Sequence, residues 1–66
     1  MKNRIRVARA EVRMTQQQLA EAIGVSRQTI NAIESGKFVP STVLALKMAQ
    51  IFETPVEEIF MLDNED

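Results

Sequence analysis

The side chains best suited to recognition chemistry in this sequence fall in one stretch, SRQTINAIESGK, from Ser26 to Lys37. Successive helical residues turn by about 100°, so Gln28, Asn31, Ala32 and Ser35 would share one side of a helix, with Arg27 at its N-terminal edge. A guanidinium presents a fork of parallel donors, and a carboxamide pairs a donor with an acceptor. These are the groups that match the two acceptors of a guanine edge and the donor–acceptor pair of an adenine edge. Both edges are displayed in the DNA major groove, which accepts one helix. The opposite side carries Ile30, Ile33 and Glu34, so the helix would be largely apolar inward and hydrogen-bonding outward.

Such a face works only if flanking elements hold it in place. Thr15, Ser26, Ser41 and Thr54 each precede a periodic or helix-favouring run, and each can cap a helix by accepting a hydrogen bond from a free first-turn N–H. A first helix is expected over about residues 2–12, with Ile5, Ala8 and Val12 on one face. Thr15 opens the second, with Gln18 as capping-box partner; Leu19 and Ile23 turn inward, and Gly24 ends it. Ser26 opens the third, which ends at Gly36. KFVP is a loop closed by Pro40, after which Ser41 opens a fourth helix with Leu44, Ala45, Met48, Ala49 and Phe52 inward. Thr54, Pro55 and Glu57 read as the cap, first-turn proline and capping-box acid of a short fifth helix running to about Leu62. No run alternates with period two. The expectation is an all-α, compact five-helix domain over residues 1–62, followed by an acidic frayed tail at 63–66. Only Gly24, Val25 and Ser26 join helices two and three, so these must cross steeply, packing through Ala20, Val25 and Ile30 as a helix-turn-helix.

Composition narrows the function. A chain of 66 residues is one small domain near the lower size limit for a self-sufficient hydrophobic core. With no cysteine and no histidine, disulfides, thiolate metal sites, a cysteine nucleophile and the commonest general base and metal ligand are absent. No nucleophile–base pair suggests itself, so the chain does not read as an enzyme, and no cofactor or metal is called for. The N-terminus alternates charge without an apolar core, unlike a signal peptide, and the uncharged run Phe38 to Leu46 is too short to span a bilayer. A soluble, cytoplasmic protein without membrane partners is expected. The net charge of −1 conceals an asymmetry. Lys2, Arg4, Arg6, Arg9, Arg13, Arg27 and Lys37 against Glu11, Glu21 and Glu34 give residues 1–37 a balance of +4, while residues 38–66 carry −5. A basic working face and an acidic far end follow.

The pattern of Gln16, Ala20, Gly24, Val25, Ser26, Ile30 and Glu34, then Gly36–Lys37, Pro40–Ser41 and the closing EEIF, resembles the lambda-repressor and Cro type of helix-turn-helix regulators, the XRE-like family, in its small single-domain form. The resemblance covers nearly the whole chain. It implies that Arg27, Gln28, Asn31 and Ala32 face bases, that Thr15, Gln16, Thr29, Ser35 and Lys37 lie near phosphates, and that Arg9 and Glu34 form a structural ion pair. Two positions depart from the pattern: Glu53 stands where relatives often have glycine, and Thr42 where they often have leucine.

The expected function is therefore a sequence-specific transcriptional regulator, a repressor that binds a palindromic operator in double-stranded DNA as a homodimer. The competing reading is a protein-interaction module of the same fold, antitoxin-like or regulator-sequestering. The short fifth helix and its exit crowd Val56, Ile59, Phe60 and Leu62 together, and helix four adds Val43 and Leu46 outside its inward set. An apolar patch of this kind usually marks a contact, and these six residues are the expected dimer interface.

Overall fold

Three of the four expected caps hold the helices as anticipated. In the computed structural model, which describes residues 1–66, Thr15 Oγ1 accepts from the Gln18 N–H at 3.0 Å while Gln18 Oε1 accepts from the Thr15 N–H at 2.9 Å, a complete capping box. Ser26 Oγ accepts from the Thr29 N–H at 3.1 Å and Ser41 Oγ from the Leu44 N–H at 3.2 Å. The element order is β1 (Lys2–Asn3), α1 (Ile5–Glu11), α2 (Gln16–Ile23), α3 (Arg27–Glu34), α4 (Thr42–Phe52), α5 (Val56–Ile59) and β2 (Phe60–Met61). No helix is long and apolar enough to cross a membrane.

The first four helices stop by one device. After each, a residue in the left-handed region lets the next N–H reach back five residues: Met14 to the Arg9 carbonyl, Val25 to Ala20, Lys37 to Ala32 and Thr54 to Ala49, at 2.9–3.1 Å. This hydrogen bond defines a Schellman ending. Two of the left-handed residues are Gly24 and Gly36, which have no Cβ to clash; the other two are Arg13 at φ 57 and Glu53 at φ 50. Glu53 thus occupies with a side chain the position where the resemblance anticipates glycine.

Three expectations are corrected. The first helix starts at Ile5, because Lys2 and Asn3 pair antiparallel with Met61 and Phe60 in a minimal two-stranded ladder. Thr54 does not cap α5: its hydroxyl donates to the Phe52 carbonyl at 2.9 Å, and Pro55 stands at the N-cap. The fifth helix therefore ends at Ile59, where the chain extends into the ladder. Beside these, the Met1 ammonium lies 3.0 Å from Asp63 Oδ2 and 3.1 Å from Asp66 Oδ2 in the acidic tail.

The core is one cluster built from Ile5, Leu19, Ala20, Ile23, Ile30, Ile33, Met48, Phe52, Ile59 and Phe60. Every helix contributes, and Ala20 is fully buried, so its small side chain lets α2 and α3 approach closely at their crossing. Val12, expected on the inner face of the first helix, lies in its C-terminal turn and is 45% exposed. Asn3 ties the ladder to the core: its Nδ2 donates to the Ile33 carbonyl at 2.9 Å, and its Oδ1 accepts from the Ile5 N–H at 3.2 Å. The end of α3 is thereby fixed to the start of α1.

Candidate nucleic-acid interface

The helix that carries the candidate reading residues is gripped from behind. Ile30 and Ile33 are 0% and 1% exposed, which orients α3 and leaves Arg27, Gln28 and Asn31 in solvent. Gln16 joins these three in lining an open hollow of about 330 Å³ that contains no apolar residue. Ala32 is half-buried. Its carbonyl receives the Ser35 hydroxyl at 3.1 Å and the Lys37 N–H at 2.9 Å, so its clearest work is in ending the helix.

Beneath the hollow lies a buried ion pair. Glu34 has a side chain only 2% exposed, and Arg9 one 15% exposed. Arg9 Nε donates to Glu34 Oε2 at 2.6 Å and Nη2 to Oε1 at 3.2 Å, a bidentate fork, while Nη1 donates to the Met14 carbonyl at 2.9 Å. The same carboxylate takes another donor, Gln16 Nε2 at 3.1 Å. That nitrogen also reaches Asn31 Oδ1 at 3.3 Å, and Gln16 Oε1 accepts from Arg27 Nε at 3.4 Å. A chain of hydrogen bonds thus runs from α1 through Glu34 and Gln16 to two of the candidate base readers.

Around this centre the surface is basic and polar. Arg9, Arg13, Thr15, Gln16, Gln17 and Arg27 border a second open hollow of about 620 Å³ at the start of α2, where first-turn N–H groups without intrahelical partners favour an anion. Arg13 was not among the candidate residues, because its place here follows from its left-handed turn, which charge pattern alone does not reveal. Of the expected phosphate neighbours, Thr15 is exposed but commits its hydroxyl oxygen to the cap. Thr29 is half-buried, with its hydroxyl 3.0 Å from Ser26 Oγ. Ser35 is exposed, and Lys37 is exposed and outside every salt bridge.

The expected dimer face is partly overturned. Ile59 and Phe60 are 1% and 9% exposed and belong to the core, because the ladder folds the exit of α5 back under the domain. Val43, Leu46 and Leu62 are 61%, 54% and 78% exposed, and Val56 is half-buried. Leu46 and Val56 line a shallow apolar groove of about 240 Å³ with Val39, Pro40 and Met1, and Val43 stands one turn before Leu46 on α4. Leu62 instead borders a polar hollow with Lys2 and Asp63. Val39, 62% exposed, was missed because its loop has no periodicity to mark it.

A helix-turn-helix family model matches residues 5–59. An HTH-type transcriptional regulator of Bacillus subtilis, YgzD, is 44% identical over 66 residues, covering 100% of both chains. One of Methanocaldococcus jannaschii is 47% identical over 66 residues, also 100% of both, and one of Archaeoglobus fulgidus is 46% identical over 100% of this chain and 93% of its own. Among solved structures, the restriction-modification controller protein C.AhdI from Aeromonas hydrophila matches with a TM-score of 0.76 at 28% identity, covering 85% of each chain.

Proposed function

The chain belongs to the helix-turn-helix family of DNA-binding transcriptional regulators, and from this premise we propose that it is a repressor that occupies a palindromic operator as a homodimer. The observation that carries the reading is the exposed start of α3, where Arg27, Gln28 and Asn31 meet in an open polar hollow. With α3 laid in the major groove, Arg27 pairs with guanine acceptors, and Gln28 and Asn31 with adenine-type edges. Ala32 lies at the margin of the base-reading set, its methyl available only to a thymine methyl. Thr15, Thr29, Ser35 and Lys37 stand toward the phosphates, together with the free N–H groups at the start of α2. Bound across a promoter, the protein excludes transcription by occupancy.

Two features support a dimer. The exposed apolar residues of α4 and its preceding loop, Val39, Val43 and Leu46, lie beside a groove that the monomer leaves unfilled. The chain extends 31 Å in its longest direction, so a twofold pair can set its recognition helices about 34 Å apart, one turn of duplex. Such a pair reads an inverted repeat. Selection of bound sequences from random DNA tests the reading: the expected outcome is an inverted repeat whose half-sites are centred about 10 base pairs apart. Absence of any enriched sequence defeats it and favours the interaction module, for which the same apolar strip would be the binding face.

A further inference from the structure

A side chain on the first strand closes the far end of α3. In a continued helix the N–H groups of Lys37 and Phe38 would reach the Ile33 and Glu34 carbonyls, but both turn back to the Ala32 carbonyl, at 2.9 and 3.2 Å. That turn leaves the Glu34 carbonyl and one lone pair of Ile33 to a donor from elsewhere, the other lone pair taking the Gly36 N–H at 3.1 Å. Asn3 supplies the donor. Its Nδ2 lies 2.9 Å from the Ile33 oxygen and 3.4 Å from that of Glu34, across 30 and 31 positions of chain. The other half of the amide serves a different helix, Oδ1 accepting from the Ile5 N–H in the first turn of α1 at 3.2 Å. A donor on one side and two carbonyls on the other decide which way the amide points, since the reverse would set Oδ1 against carbonyl oxygens. The backbone of Asn3 is held in turn by the ladder, opposite Phe60.

We infer that Asn3 is a positioning residue for DNA binding, which sets the turn after α3, and with it the Lys37 ammonium, before the duplex arrives. Lys37 is exposed, outside every salt bridge, and only three residues beyond the carbonyl that Asn3 holds. Its own N–H is fixed on Ala32, so the path of the turn fixes where its side chain begins. Asn3 is half-buried and spends both halves of its amide inside the domain; it acts through the turn and not by touching DNA. Glu34 is thereby held twice, by its carboxylate on Arg9 and by its carbonyl on Asn3. Two ties on one residue fix the roll of the helix end as well as its distance from α1. The inference rests on the phosphate-facing assignment proposed above for Lys37.

Asn3→Ala removes both ends of this clamp, whereas Asn3→Asp keeps an acceptor for the Ile5 N–H and sets a carboxylate against the carbonyls of α3. The two variants, Lys37→Ala and the Asn3→Asp/Lys37→Ala double variant are titrated at several salt concentrations against the duplex recovered by selection and an unrelated one, at a temperature where thermal melts show each folded. Positioning predicts that each Asn3 variant weakens binding to both duplexes by roughly two- to tenfold, the worth of a net hydrogen bond, and makes the salt slope shallower toward that of Lys37→Ala. The losses should overlap, so that the double variant binds little worse than Lys37→Ala. Hydrogen exchange of Asn3→Asp should show the Lys37 amide losing protection while the Ile5 amide keeps it. A folded Asn3→Asp protein with a lowered melting temperature but wild-type affinity, slope and Lys37 protection overturns the inference, because the amide then serves stability alone. Failure of Asn3→Asp to fold also overturns it, by making the residue a requirement of the whole domain. If Lys37→Ala itself leaves the salt slope unchanged, the phosphate assignment fails and the inference fails with it.

Discussion

Removing the carboxylate of Glu34 is the sharpest test of what holds this domain together. The pair it forms with Arg9 is bidentate, at 2.6 and 3.2 Å, and the Glu34 side chain is 2% exposed. An exposed pair would contribute about 0–1 kcal/mol. Loss of one partner from a buried pair costs about 3–5 kcal/mol, chiefly because the survivor is left without a counter-charge. Burial places this pair in the second class, though the 15% exposure of Arg9 lets water reach the guanidinium and favours the lower end, about 3 kcal/mol. A domain of this size has in all about 3–10 kcal/mol, so Glu34→Ala should remove a third or more of its stability. At about 4–8 °C per kcal/mol for a small domain, the melting temperature should fall by about 12–24 °C. With no tryptophan or tyrosine, the assay is thermal and urea unfolding followed by far-ultraviolet circular dichroism. The double variant Arg9→Met/Glu34→Leu should recover most of the loss, since an apolar replacement of both partners is often neutral or stabilising. A Glu34→Ala protein that matches the wild type in stability but no longer binds DNA would refute the reasoning, and would make the pair part of the working surface instead.

Arg27→Ala should cost about 1–3 kcal/mol on the preferred site and relax the choice at one base pair, whereas Lys37→Ala should weaken all sequences alike and reduce the salt slope by about one; binding titrations at several salt concentrations on matched and mismatched sites separate the two. Glu53→Gly should stabilise the domain by up to about 1 kcal/mol, because glycine relieves the left-handed strain at the end of α4 while giving back some of that gain as unfolded-state entropy; a lower urea midpoint would contradict this. The Met1 ammonium is raised above its usual 8.0 by hydrogen bonds to Asp63 and Asp66, and Asp66 is lowered below 3.8 by the Asp63 N–H and then the ammonium. The tether should therefore hold between 3.8 and 8.0 and be lost as pH falls through the lowered carboxyl value or rises through the raised amine value, and an Asp63 amide resonance unchanged outside that window would count against it. Leu46→Glu should leave the fold intact, since this side chain is 54% exposed, and give monomers with weakened operator binding in sedimentation and titration; normal dimerisation of the folded variant would exclude this face.

What the sequence made legible was the local chemistry. The capping box of Thr15 and Gln18 needs only residues three apart, and the inward face of α3 follows from the spacing of Ile30, Ile33 and Glu34, so the helix-turn-helix and its outward residues could be placed from short-range rules. The misplacements have long-range causes. Lys2 and Asn3 leave the helix because Phe60 and Met61, at the other end of the chain, offer backbone partners. Ile59 and Phe60 are core rather than interface because that same pairing folds them under the domain, and periodicity does not say which apolar residues a small core will claim. Arg13 and Glu53 adopt left-handed turns that their side chains do not announce. The commitment of the Gln16 side chain to α3 depends on a contact between two helices, which spacing along either one does not supply.

The arrangement of charge explains how so small a domain can present a polar helix face without loosening it. Outward residues such as Arg27 and Asn31 contribute little to the core, and long side chains in water lose rotamer freedom only at a cost. Here that ordering is borrowed from the fold. Glu34 must be buried and paired for α3 to sit against α1 through Arg9, and its carboxylate has lone pairs left over once the fork is made. Gln16 takes up that spare capacity and passes it to Arg27 and Asn31. A single inward carboxylate on α3 therefore serves two ends, closing the core on one side and holding the Gln16 amide beside the proposed base readers on the other. Placed one residue later, the carboxylate would rotate by about 100° out of the core and into the outward surface, where it would repel phosphate in the proposed complex and leave Arg9 without its partner.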